Sequence, residues 1–176
     1  MKVSILLILF LIVMAMAGYG WMRLNRTAVY EGKEWTARQF GDRYVVSIRN
    51  RAELAEALAD FAAQRGITAG AVYGIGAVDR ATLRFFNPET KKYVDKTFDG
   101  QMEITNLSGN ISTKDGKEYL HLHVTLGNSK YQGIAGHLLS AVINGAGEFV
   151  VEDFPGGRLE RTYDPEVGLN FYDFKK

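Results

Sequence analysis

The chain has 176 residues, 47% hydrophobic and 23% charged, with 21 Lys+Arg against 20 Asp+Glu and no cysteine. These are ordinary globular proportions, which exclude a disordered or fibrous chain, and the lack of cysteine excludes disulfides, thiol catalysis, cysteine-ligated zinc and a lipoprotein anchor. A formal charge of +1 is far from the basic excess with which nucleic-acid binders displace counterions from phosphate.

At roughly 100–200 residues per domain, the length accommodates one domain with a real core. Residues 1–17 read as an address. Lys2 is followed by a run from Val3 to Met14 that is apolar but for Ser4 and then by the small-x-small triplet Ala15-Met16-Ala17. That is the pattern of a secretory signal peptide with its cleavage site. The alternative is an uncleaved anchor, because the apolar stretch extended to Trp21 and Met22 approaches the ~20 residues that span a bilayer. Both readings export the remainder, as a periplasmic or secreted domain or as one anchored facing out of the cytoplasm. Membrane contact then comes only through this segment. Lys2 is the only charged residue of the seventeen, so the remainder is formally neutral.

Residues 18–42 are mixed and polar and read as an extended lead-in to a domain spanning 43–176. Arg43 to Ile48 is rich in β-branched and aromatic residues, a first strand. Asn50 with Glu53 forms a capping-box pattern. Leu54, Leu58 and Phe61 then recur at helical spacing, predicting a helix over 51–65 that Gly66 stops. Beyond it the texture changes to short apolar segments: Ile67 to Ile75, Ala81 to Phe86, Tyr93 to Phe98, Gln101 to Thr105, Leu107 to Ser112 and Tyr119 to Leu126. Asn87-Pro88-Glu89-Thr90 and Lys114-Asp115-Gly116-Lys117 are turns. Glu148 to Asp153 and Leu159 to Tyr163 read as a closing strand pair. The fold class is α+β, a mostly antiparallel sheet with one or two packed helices.

The 3 histidines, His121, His123 and His137, fall within seventeen residues. His121 and His123 are two apart on a predicted strand, so their side chains share a face. Gly133-Ile134-Ala135-Gly136 reads as a small-residue turn that returns His137 over that strand. Three neutral imidazoles suit a divalent transition metal, zinc first, and leave a coordination position open. A His-x-His pair is also found as two exposed strand residues, and His137 as a loop-capping residue. Glu103 and Glu148 are available carboxylates, either as solvated edge charges or as partners of a metal site. Gly74-Ile75-Gly76-Ala77 lacks the spacing and helix of a dinucleotide fingerprint and reads as a turn. Ser108 and Ser112 have no nucleophile context.

Several segments, in this order, resemble the PPC family, the domain conserved between plants and prokaryotes. They are Gly74-Ile75-Gly76-Ala77-Val78, Ala81 to Phe86, Gly100-Gln101-Met102-Glu103-Ile104 and Leu107 to Ile111, followed by His121 to Gly127 and Gly136-His137-Leu138-Leu139. The similarity runs from about Tyr44 to Val151. It implies an α+β domain that assembles as a homotrimer, with His121, His123 and His137 at the family's signature histidines and Glu103 at its Gly-x-x-Glu glutamate. Family members are often labelled DNA-binding, and the plant domain accompanies an AT-hook. This chain carries no Arg-Gly-Arg-Pro hook.

The leading expectation is an exported three-histidine metal domain that acts on a small molecule, with Glu103 as proton carrier in a metal-assisted hydrolysis or lyase step. A second is a non-catalytic homotrimeric module that binds a partner through its sheet. A third is the DNA-binding protein of the family label. Whether the chain is an enzyme is left open.

Overall fold

The computed structural model describes residues 28–174; the expected signal or anchor segment lies outside them. Among the described residues the elements run β1 (Val29–Glu31), β2 (Trp35–Phe40), β3 (Arg43–Ile48), α1 (Leu54–Arg65), β4 (Gly70–Asn87), β5 (Lys92–Lys114), β6 (Lys117–Gly127), β7 (Gly133–Asp153), β8 (Arg161–Asp164) and β9 (Leu169–Tyr172). The main sheet is antiparallel throughout, in the order β1-β2-β3-β7-β4-β5-β6. β6 also pairs with β7, so β7, β4, β5 and β6 close into a ring of strands. Strands β8 and β9 form a separate hairpin, bridged to β5 between Thr113 and Glu160.

The expected lead-in joins this sheet. Trp35, Ala37 and Gln39 alternate inward on β2 and meet Tyr44, Val46 and Ile48 of β3. Trp35 is fully buried, its ring edge-on to Phe61 at 5.0 Å, and its indole N–H donates to Asp60 at 2.7 Å. A buried indole keeps its hydrogen bond this way.

Helix α1 buries Leu54, Ala57, Leu58, Phe61 and Ala62, a stripe at the spacing that puts side chains on one face. It begins three residues later than the capping pattern suggests. Glu53 is the cap: one carboxylate oxygen accepts from Glu56 N at 2.6 Å and the other from Ala141 N at 2.8 Å. Asn50 instead accepts from Gly145 N at 3.0 Å. The start of the helix is therefore pinned to β7 by a contact between residues distant in sequence. At the other end Gly66 is left-handed, with φ 65°. Gly66 N bonds Ala63 O and Ile67 N bonds Ala62 O, the reciprocal pair of a Schellman stop.

The long strands absorb what the sequence reads as separate pieces. β4 runs 18 residues with register shifts between Gly74 and Gly76 and between Val78 and Arg80. β5 runs 23 residues. Such irregularities bend a strand without ending its pairing. The segment 133–147 is strand as well, so Gly133 to Gly136 is not a turn. β7 pairs β3 over Gly147 to Glu152 and β4 from His137 to Asp153, and Leu159 to Tyr163 does not pair with it. α1 is the single α-helix among the described residues. No helix among them is long and apolar enough to cross a membrane.

Candidate metal centre

Strand alternation explains the presentation of the histidines. Leu122, Val124 and Leu126 of β6 are buried in the core, so His121 and His123 project from the opposite face. The turn at Asp115 and Gly116 has φ 52° and 77°, as a two-residue hairpin needs. It sets the register that puts Asn110 opposite His121 and Ser108 opposite His123. His137 arrives on β7, directly across from His123. Ring closure between β6 and β7 is what makes that pairing, and a cross-strand pair brings Cβ atoms to ~4.5–5.5 Å.

The three rings form one cluster. Their centroids lie 5.1 Å apart for His121–His123, 4.9 Å for His121–His137 and 5.3 Å for His123–His137. One ligating nitrogen from each lies within 4.8 Å of the others, and the Nε2 atoms of His121 and His123 are 3.2 Å apart. Tetrahedral zinc with Zn–N of ~2.0–2.1 Å needs nitrogens about 3.3 Å from one another. The His121–His123 pair already meets that spacing, and the third nitrogen lies within 4.8 Å of both. Burial holds His137 well below the usual imidazole value, at about 4, with His121, His123 and Arg84 adding to the effect. Burial also lowers His121, followed by the Arg161 charge and His123. Neutral rings keep the lone pairs that ligation requires. The donor set therefore fits a divalent transition metal.

A transverse row continues away from the triad, since His137 pairs with Arg84 and Arg84 with Asp95. The Arg84 guanidinium grips Asp95 with two bonds of 3.0 and 2.8 Å and lies 4.8 Å above the Tyr93 ring. That hydrogen bond holds the Asp95 carboxyl below the usual carboxylate range. The triad opens into a cavity of about 460 Å³ walled by Phe86, Tyr93, Tyr119, Arg161 and Phe171. The β8–β9 hairpin supplies its far side.

Glu103 is not brought to this cluster. It pairs with Gly127 on β6 and Ala77 on β4, four residues along β6 from His123, or about 13 Å at strand rise. It lines a separate depression with Thr105, Asn128 and Tyr131. Glu148 sits opposite Ile75 and borders another. Arg84, Asp95 and Arg161 carry no motif, and sequence reasoning missed them. The register of the turn at 87–91 was the available signal for the Arg84–Asp95 pair. Arg161 had none, because it arrives on a hairpin with no local link to β5.

An antiparallel sheet closed into a ring, with an outward histidine triad beside a cavity, is the class of domain these observations define. Residues 36–155 match the model of the Plants and Prokaryotes Conserved (PCC) domain, and the chain belongs to that family. Among solved structures, a candidate DNA-binding protein from Bacteroides thetaiotaomicron is 54% identical, covering 82% of this chain and 100% of its own, with a TM-score of 0.80. Another candidate DNA-binding protein, from Ralstonia eutropha JMP134, is 30% identical over 78% of this chain and 94% of its own, with a TM-score of 0.73. A metal-containing protein from Archaeoglobus fulgidus is 32% identical over 81% of this chain and 99% of its own, with a TM-score of 0.71. No curated protein matches the chain.

Proposed function

We propose that this protein is an exported metal-binding domain that holds a divalent transition metal, zinc first, on His121, His123 and His137 and takes a small molecule in the adjoining cavity. The observation that carries the reading is the convergence of three imidazole nitrogens within 4.8 Å on the wall of a cavity of about 460 Å³. The similar protein from Archaeoglobus fulgidus is described as metal-containing, which supports it further. Three neutral ligands leave the ion its full charge and an open position, so a bound ion would supply Lewis acidity there. The chain's own residues do the rest. Tyr93 and Phe86 pack their rings 5.2 Å apart at the rim, and Tyr93 faces His137 at 5.9 Å. They would exclude water and orient an apolar body beside the triad. Glu103, about 13 Å along the strand, has no part in the site within one chain.

Cobalt(II) substitution tests the reading. Wild type should show the intense visible bands of a low-coordinate nitrogen site, and His137→Ala should lose them. Octahedral, water-like spectra in both would sink it.

Self-assembly belongs to the same proposal. Val45 and Tyr73 are exposed, and Val150 lies between them across β3, β7 and β4. With exposed Ile75 they make an apolar strip suited to a homotrimer. Light scattering reads the stoichiometry directly; a monomer at micromolar concentration would remove this part. A second reading, DNA binding, is favoured by the descriptions of two similar structures. Fluorescence anisotropy on a duplex at 50 and 200 mM salt decides it. Binding that falls steeply with salt supports the reading, and the near-neutral charge predicts none.

A further inference from the structure

Arg161 is the buried cation of this cavity, and its surroundings point to a ligand. The residue is 7% exposed. Its guanidinium is flanked by the Tyr119 ring at 5.2 Å and the Tyr172 ring at 4.2 Å. Nε donates to Ser112 Oγ at 2.9 Å, Nη1 to the Asn170 carbonyl at 3.1 Å and Nη2 to Asn110 Oδ1 at 2.7 Å. All three acceptors are neutral. Among the described residues Arg161 makes no ion pair, whereas the neighbouring Arg84 has its own carboxylate in Asp95. No carboxylate of the described residues lines the cavity.

Burying a charge without a counter-charge is costly, yet here the fold goes to some length to do it. The β8–β9 hairpin, which follows the family-matched residues 36–155, carries Arg161 onto Asn110, the cross-strand partner of His121. A guanidinium has five N–H donors, and three are spent on the fold. One N–H on each terminal nitrogen remains, and a planar carboxylate is the acceptor that suits a guanidinium best.

We infer that the small molecule of this cavity is an organic carboxylate with an apolar body, its anionic group held by Arg161 and its body against Phe86, Tyr93 and Phe171. The inference rests on the metal reading only in that the same ligand would lie next to the ion; Arg161 needs no ion to hold a carboxylate. Taken by itself, the one unpaired guanidinium balances a single carboxylate charge, and its two remaining N–H groups match the two oxygens of a planar carboxylate.

The test uses benzoate as probe, with benzamide as its neutral counterpart. Titration calorimetry is run on the zinc-treated and the zinc-free full-length protein, with zinc content measured on the same samples. The variants are Arg161→Gln and Asn110→Asp. The second keeps side-chain size and leaves Arg161 in place but gives it an internal carboxylate 2.7 Å from Nη2. It therefore separates loss of the free charge from loss of the hairpin. Circular dichroism confirms that each variant is folded.

Wild type should bind benzoate at least tenfold more tightly than benzamide. Both variants should lose at least tenfold in benzoate affinity with zinc content unchanged. Equal benzoate affinity in wild type and folded Asn110→Asp overturns the inference, as does equal binding of benzoate and benzamide. If the chain takes up no zinc but still binds benzoate through Arg161, the metal reading fails and the carboxylate site stands.

Discussion

Leu122 lies between two candidate ligands and points the other way, which makes it the sharpest probe of how the site is built. It is 2% exposed and sits in the core under the ring of strands, while His121 and His123 face out. Truncating such a leucine to alanine removes its burial and leaves a cavity, at a cost of ~2–5 kcal/mol. For a domain of this size each kcal/mol lowers Tm by roughly 2–4 °C. A central loss of about 3 kcal/mol therefore corresponds to about 6–12 °C. His121→Ala, one residue away on the open face, removes no core packing and should move the metal-free protein by less than about 1 kcal/mol. The assay is thermal unfolding of metal-free wild type, Leu122→Ala and His121→Ala, followed by zinc uptake of each. The expected pattern is a large Tm loss with zinc uptake kept for Leu122→Ala, and the reverse for His121→Ala. A Leu122→Ala shift below 2 °C, or a larger shift for His121→Ala, would refute the alternation that presents the triad.

Four other outcomes are expected. A Cβ at Gly109 would run into the His121 carbonyl oxygen, so Gly109→Ala should cost ~1–3 kcal/mol by overpacking and weaken zinc binding, read by chemical denaturation and competition with a chelator. Trp35→Ala should cost ~3–5 kcal/mol, and a chain beginning at Arg43 should fail to give a cooperative unfolding transition. Metal-free stability should fall as pH drops from about 6.5 to about 4. The reason is that burial depresses His137 to about 4 in the folded state while the unfolded chain takes up its proton near 6.5. The unfolded state holds more protons in that window, so the contribution is whole above it and lost below it. A histidine NMR titration checks this: a His137 ring that charges near 6.5 contradicts the burial argument.

Local chemistry made some of the molecule readable before its structure. The Arg43–Ile48 strand, the Gly66 stop and the Asp115-Gly116 turn depend on neighbouring residues, and each appears where its residues point. Segments governed by pairing at a distance were not readable. Val29 to Phe40 looks polar because only alternate residues face inward, and it becomes strand through contact with β3. Gly133 to Gly136 is rich in small side chains and suggests a turn, yet pairing with β6 holds it extended. Glu53 rather than Asn50 caps the helix because Ala141 N offers it a second bond. The triad was legible as a cluster of rare residues, and its geometry follows from two hairpin registers. Arg161 was not, since only the docking of β8 and β9 against β5 places it beside His121.

Zinc stoichiometry tests the central claim most directly. The protein is stripped with chelator, reloaded with zinc, desalted and assayed by inductively coupled plasma mass spectrometry, beside a His121→Ala, His123→Ala double variant confirmed as folded. The account predicts close to one zinc per chain in wild type and almost none in the variant. Wild type that retains no zinc, or a variant that retains as much as wild type, would contradict it.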